Sequence, residues 1–287
     1  MKLFRVITAV TLTCAFTLGA YAEEGLRILY LSKSSGFIHS VVNPDDSGTS
    51  LTDRVLTELA ESMGAHINTT KDASLINAEN LENYDVVIFY TSGNLTEEGN
   101  DGYPAMSETG VDELLAWIDN GGGFIGFHSA TDTFRVGAEG EPNDFIRMIG
   151  GEFLTHGAQF EGILQVTSPE HPTMANFQDN WAIWDEWYLY THLNEDDMHV
   201  LVLLEPGEER EKQEMYDIPA YPIIWCSAMG EGRILHNGMG HREDVWENPD
   251  FQQTVVDAIN WAAGEGPTHA APNYHDVVPE ADAESAE

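Results

Sequence analysis

Basic residues are scarce in this chain. Lys and Arg number 12 against 49 Asp and Glu, a formal charge of −37. A field of that sign repels phosphate backbones and anionic lipid headgroups, so neither nucleic acid nor a membrane surface is expected as a partner. The acidity names no ligand, because it suits solubility in a salty medium equally well. Cysteine is scarcer still, with Cys14 and Cys226 alone. Beyond residue 22 no apolar run approaches the roughly 20 residues that a spanning helix requires, so membrane insertion is not expected.

The apolar run that is present lies at the N-terminus. Lys2 and Arg5 precede an apolar stretch from Val6 to Leu18, followed by Ala20-Tyr21-Ala22. This is the pattern of a signal peptide with an A-x-A cleavage site, which predicts removal of residues 1–22 and a periplasmic or secreted product. Thr13 stands where a lipoprotein signal places a small residue before Cys14, so a soluble product is expected. Losing Lys2 and Arg5 takes the formal charge from −37 to −39. Cys226 is then left without an intramolecular partner. Stability must come from burial, which 42% hydrophobic content over this length can supply.

Continuous apolar runs predict buried strands at Leu26 to Leu31, Asp85 to Tyr90 and Phe124 to Phe127. Helical spacing appears in Ser50 to Met63, with Ser50 and Asp53 as a capping box, and in the segment after Ser107. Strands without alternation, separated by amphipathic helices, predict a parallel α/β sheet covered on both faces. After Gly150 the pieces become shorter and more aromatic: Phe160 to Val166, Trp181 to Tyr190, His199 to Leu204, Tyr221 to Ser227 and Arg233 to Asn237. They predict mixed strands extending the sheet, closed by a helix from Pro249 to Ala263. The reading is one domain over residues 23–264 and a disordered acidic tail over 265–287.

In open α/β sheets ligands bind beyond the carboxyl ends of the strands. Three histidines follow three predicted strand ends there: His39, His128 and His241. The run Gly126-Phe127-His128-Ser129-Ala130 has the small-residue setting of a sharp strand-to-helix elbow. Asp132, His156, Glu186 and Tyr188 complete a candidate polar rim with Ser129. Trp181, Trp184, Trp187, Tyr188 and Tyr190 flank Asp185 and Glu186. Aromatic faces beside carboxylates suit pyranose rings, and Trp187 and Tyr188 are the candidate ligand contacts. Trp184 reads instead as core or as a dimer contact, which leaves room for an oligomer. His236 reads as a packed strand residue.

GGGFIGFHSATDTF, Gly150-Gly151-Glu152-Phe153 with His156, His171-Pro172, Asp185-Glu186-x-Tyr188, and Tyr221-Pro222 through Trp225 to GEGRILHNGMGH resemble the ThuA-like (trehalose utilisation) family. Trp246, Pro249, Phe251 and Trp261-Ala262 continue the resemblance, which spans Leu26 to Gly264. It implies a doubly wound, mainly parallel, flavodoxin-like sheet similar to class I glutamine amidotransferases. Those enzymes carry cysteine at the elbow, where this chain has His128, so glutaminase chemistry is excluded. His241-Arg242-Glu243 retains the His-x-Glu spacing of their base and orienting acid.

Two chemistries suit the rim. His128, His241, His39 and Glu186 can move protons on a disaccharide, glycoside or keto-sugar. Alternatively His39, His128 and His241 with a carboxylate can hold zinc. The absence of HExxH or another compact ligand motif favours the metal-free version. A non-catalytic carbohydrate-binding or accessory protein on the same scaffold is the competing class.

Overall fold

The computed structural model describes residues 25–99 and 101–279. The expected signal peptide and the last eight residues of the expected tail lie outside that range. A nine-stranded sheet runs in the order β2-β1-β3-β4-β11-β10-β9-β6-β7. Its parallel half comprises β1 (Arg27–Leu31), β2 (His66–Thr70), β3 (Val86–Phe89), β4 (Gly123–Phe127) and β11 (Gly232–Asn237). Its antiparallel half comprises β6 (Phe160–Val166), β7 (Trp181–Asp185), β9 (His199–Glu205) and β10 (Tyr221–Met229). A separate antiparallel pair joins β5 (Glu152–His156) to β8 (Tyr188–Thr191). The flavodoxin-like reading with added mixed strands therefore describes the molecule.

Both faces of the sheet are covered, which is why β1, β3 and β4 are apolar without alternation. One face receives Val55 and Leu56 from the helix Leu51–Ser62, and Phe251, Val255 and Ile259 from the helix Pro249–Ala262. The other receives Leu114 and Ile118 from Gly110–Asp119, and Phe145 and Ile149 from Asp144–Ile149. The capping box forms as the sequence predicts: Ser50 Oγ accepts from Asp53 N, and Ser50 N donates to Asp53.

The stretch Trp181 to Tyr190 differs from expectation. It is two strands in two sheets, interrupted at Glu186-Trp187, and this interruption directs Glu186 toward the carboxyl ends of the parallel strands. The expected tail also differs, because residues 265–279 pack back onto the domain. Asn273 Oδ1 accepts from Val200 N, while Tyr274, Val277 and Val278 cover Met198 and Val200. The acidic composition of the terminus hides this short apolar segment.

Candidate metal centre

His128 leaves β4 on a tight helical turn, His128–Asp132, with φ +40°. A left-handed backbone is unfavourable for a residue with a Cβ and persists where surrounding contacts impose it. The turn fits because Gly126 lacks a side chain. A Cβ there would lie 2.9 Å from Ile149 Cδ1 and 3.0 Å from Ala130 Cβ. His39 caps a short turn after β1, and His241 follows β11 through Gly238-Met239-Gly240. Gly240, at φ +107°, is fastened on three sides. Its N–H donates to Asp185 Oδ2 at 2.7 Å, and its carbonyl accepts from Trp246 Nε1 at 2.8 Å and Tyr90 OH at 3.1 Å.

These attachments bring three imidazoles together as a propeller. His39–His128, His39–His241 and His128–His241 ring centres are 5.1, 5.2 and 5.2 Å apart, and the planes are steeply crossed. Glu186 completes the group, and the four candidate donor atoms lie within 4.8 Å of one another. Three of them form a tight triangle: His128 Nε2 to His241 Nδ1 is 3.3 Å, His241 Nδ1 to Glu186 Oε2 is 3.1 Å, and His128 Nε2 to Glu186 Oε2 is 3.5 Å. Ligands at about 2.0–2.1 Å from a tetrahedral zinc stand roughly 3.3 Å from one another, so this triangle matches one face of such a site.

Burial and the close packing of these groups shift their protonation in opposite directions. Burial pushes the His128 imidazolium down, against the support of Glu186, so the ring is held neutral. His128 Nδ1 lies 3.2 Å from the Gly238 carbonyl, which can only accept, so the proton sits on Nδ1 and the Nε2 lone pair points at Glu186 and His241. Burial, followed by the neighbouring His128 and His241, lowers His39 to about 2. Burial would raise Glu186, but the facing His241 and His128 imidazoles outweigh it and hold the carboxylate ionised. Burial opposes the His241 imidazolium too, yet the Glu186 carboxylate raises it overall. Converging lone pairs and a carboxylate in a buried space call for a positive charge, which a proton on His241 or a bound cation would supply.

The remaining candidates take different places. His156, with its side chain 41% exposed, sits at the rim with Nδ1 3.3 Å from Glu186 Oε1. Tyr188 lies over His128 at 4.1 Å, and its hydroxyl is 3.3 Å from His39 Nε2. Asp132 lies off the triangle, paired with Arg135 at 3.1 Å. One expected ligand contact is corrected. Trp187 is fully buried and donates its indole N–H to Phe160 O, a core residue because the chain reverses its facing after Glu186. Ser129 is also fully buried, and its hydroxyl has no hydrogen-bond partner among the described residues. Trp184 is 49% exposed on the edge strand β7, which removes the core alternative of its reading.

The family model described as trehalose utilisation, ThuA, matches residues 27–262. The chain belongs to the ThuA family. Solved ThuA-like proteins from Bacteroides uniformis ATCC 8492 and Parabacteroides merdae ATCC 43184 share its fold at TM-scores of 0.64 and 0.61, with 20% and 18% identity. The matches cover 85% and 84% of this chain, and 94% and 91% of those proteins. Agd3, described as a carbohydrate deacetylase, matches 82% of this chain with 32% of its own at a TM-score of 0.51 and 14% identity. No curated protein matches the sequence.

In this ThuA protein the His-x-Glu spacing does not build an amidotransferase pair. His241 turns to Glu186, whereas Glu243 is held by Ser40. Asp185, absent from the sequence candidates, is the residue that sets the loop. Its Oδ1 accepts from Glu186 N at 2.9 Å while Oδ2 holds Gly240. Its place beside Glu186 in the family motif was the available signal. His236 packs inside β11, fully buried.

Cys226 is buried in β10, its thiol pushed far up by burial and 3.6 Å from His171 Nε2. A protonated, enclosed thiol is a poor nucleophile. Cys226→Ala is therefore expected to retain turnover within about twofold while lowering Tm by a few degrees, the effect of one small cavity in a chain of this size. A folded variant without activity would show that the chemistry depends on sulfur.

Proposed function

We propose that this protein is an exported, metal-assisted enzyme of carbohydrate metabolism, with a divalent cation held by His39, His128, Glu186 and His241. One observation carries the reading: donor atoms of His128, His241 and Glu186 meet 3.1–3.5 Å apart with the lone pair of a neutral His128 turned inward. Nitrogen and carboxylate donors in this number suit zinc. A cation there supplies Lewis acidity toward a water, a sugar hydroxyl or a sugar carbonyl.

The chain's own groups orient the site and move protons. Asp185 fixes Glu186 and the His241 loop through backbone N–H groups. His156, exposed and linked to the second Glu186 oxygen, is placed to exchange protons with substrate and solvent. Tyr188 covers His128 and keeps water from that side of the ring. The trehalose-utilisation description of the family and a carbohydrate-deacetylating structural relative support a disaccharide, glycoside or keto-sugar as substrate. The Lys2/Arg5 segment with its apolar run and Ala20-x-Ala22 supports export.

Elemental analysis of the dialysed protein tests the centre. About one equivalent of divalent cation per chain is expected, with activity on saccharides lost to chelator and restored by zinc. Turnover that survives complete metal removal with a bell-shaped pH profile would overturn the metal and leave proton transfer. Sugar binding without turnover, in metal-loaded protein, would overturn the enzyme.

A further inference from the structure

Two lysines of this cation-poor chain are buried near each other at the β1/β2 side of the sheet, and their surroundings differ. Burying an ammonium is unfavourable unless both its N–H groups and its charge are met. Lys33, two residues beyond β1, is met in full. Its Nζ donates to Glu98 O at 2.7 Å, Tyr103 O at 2.8 Å and Asp101 Oδ1 at 3.0 Å. Lys71, the residue that follows β2, is 7% exposed and donates to the neutral carbonyl of Ser32 at 2.7 Å. Among the described residues that is its one hydrogen bond and it forms no ion pair, so two N–H groups and the charge are left over.

Lys71 lines a pocket. The space, about 210 Å³, is bounded in part by Lys71, Ser32, Thr49, Asp53, Thr69 and Tyr103. It lies beyond the carboxyl ends of the parallel strands β1 and β2, where ligands collect in such sheets, with the first turn of Leu51–Ser62 contributing Asp53. None of the four clustered donors lines it. A second buried group in the wall is also unmet. Ser32 Oγ has no hydrogen-bond partner among the described residues, because the neighbouring Tyr30 hydroxyl turns to Thr52 Oγ1 at 2.8 Å. Asp53 is committed on one oxygen, Oδ2 accepting from Ser50 N at 3.0 Å. Burial lowers the Lys71 ammonium against the pull of Asp53 and Asp101, so those carboxylates do not offset the loss of water.

We infer that this pocket binds a small carboxylate monoanion, whose oxygens take the remaining Lys71 N–H groups and the Ser32 hydroxyl. A carboxylate supplies charge and acceptors together, the two things the ammonium lacks. At about 30 Å³ per water the space equals roughly seven waters, room for an acid of about two to four carbons. A dianion such as inorganic phosphate is disfavoured, because Asp53 stands in the wall and the whole chain carries −37. A neutral polyol would meet the hydrogen bonds and leave the charge unmet. The site depends on neither the cation nor the saccharide proposed above.

Calorimetric titration and thermal melting of the full chain with acetate, inorganic phosphate and glycerol, at constant ionic strength, test it. Acetate should bind saturably and raise Tm, phosphate should bind more weakly, and glycerol should not bind. Chelator-treated protein should show the same acetate affinity, which separates this pocket from the metal centre. Lys71→Gln should weaken acetate by at least about tenfold, the scale of a hydrogen bond to a charged group. Without acetate it should melt no lower than the wild type, since it removes a buried charge that has no partner. Lys33→Gln supplies the contrast, because it breaks three made bonds and should melt well below the wild type. Ser32→Ala should weaken acetate several-fold with the fold intact, and it decides the matter alone if Lys71→Gln does not fold. Absence of saturable acetate binding, wild-type affinity in the folded variants, or phosphate or glycerol binding as tightly as acetate would each overturn the site. So would acetate binding that disappears with the metal.

Discussion

His128→Gly is expected to strip the bound cation and to lower kcat/KM on a saccharide by more than the roughly 10–100-fold typical of losing an outer partner of a metal ligand. Glycine is the informative replacement because position 128 sits at φ +40°, where alanine would add backbone strain to ligand loss. Asp185→Asn provides the internal contrast. It leaves all four donors in place and disturbs only the bonds to Glu186 N and Gly240 N. Its expected loss lies within the 10–100-fold range, with metal retained at weaker affinity. Full metal content and unchanged rate in His128→Gly would refute the assignment of this nitrogen as a ligand.

Acidification below pH 6.5 is expected to destabilise the fold well before most carboxylates titrate. Burial, and then the nearby His199, holds His171 at about 4, and burial with the neighbouring His128 holds His236 at about 3. In the unfolded chain both return to about 6.5. Between pH 6.5 and those lower values the unfolded state therefore binds protons that the folded state refuses, and stability falls as pH falls. A few kcal/mol from the two groups together is a substantial share of the about 5–15 kcal/mol that stabilises a typical protein. Asp185 acts in the opposite sense. Burial raises it to about 7, so the folded form keeps a proton that the unfolded chain releases above about 3.8. Melting temperatures at pH 7, 5.5 and 4.5 should decline progressively, and His171→Gln should flatten the decline. An unchanged Tm across this range would contradict neutral burial of these rings.

How much of this was legible in the sequence depends on whether the signal runs along the chain or across it. β1, β3 and β4 were readable because strands buried on both faces are continuously apolar. β2, HINTT, was missed because it is an edge strand with mostly part-exposed polar residues. The aromatic run Trp181 to Tyr190 gave no sign of its break, since both halves have strand composition. His39, His128 and His241 were identifiable as a set from the rule that strand ends share one rim. The choice between proton transfer and a metal was not, because compact motifs record ligands on one element, whereas these four come from four separate segments. Trp187 failed as a ligand contact for a related reason. Sequence neighbours of a site residue can face the core, and only the local reversal of the chain decides it.

The same dispersion has a consequence for how the protein endures heat. His39 and His241 are separated by 202 positions, and among the described residues no disulfide fastens the chain, the single cysteine there being free and buried. A cation binding these four side chains recognises only the folded arrangement, so mass action adds about 2.7 kcal/mol when free metal is a hundred times its Kd. An ion held as proposed would serve as a removable cross-link between these segments. The melting temperature of this protein would then become a reading of the metal in its surroundings.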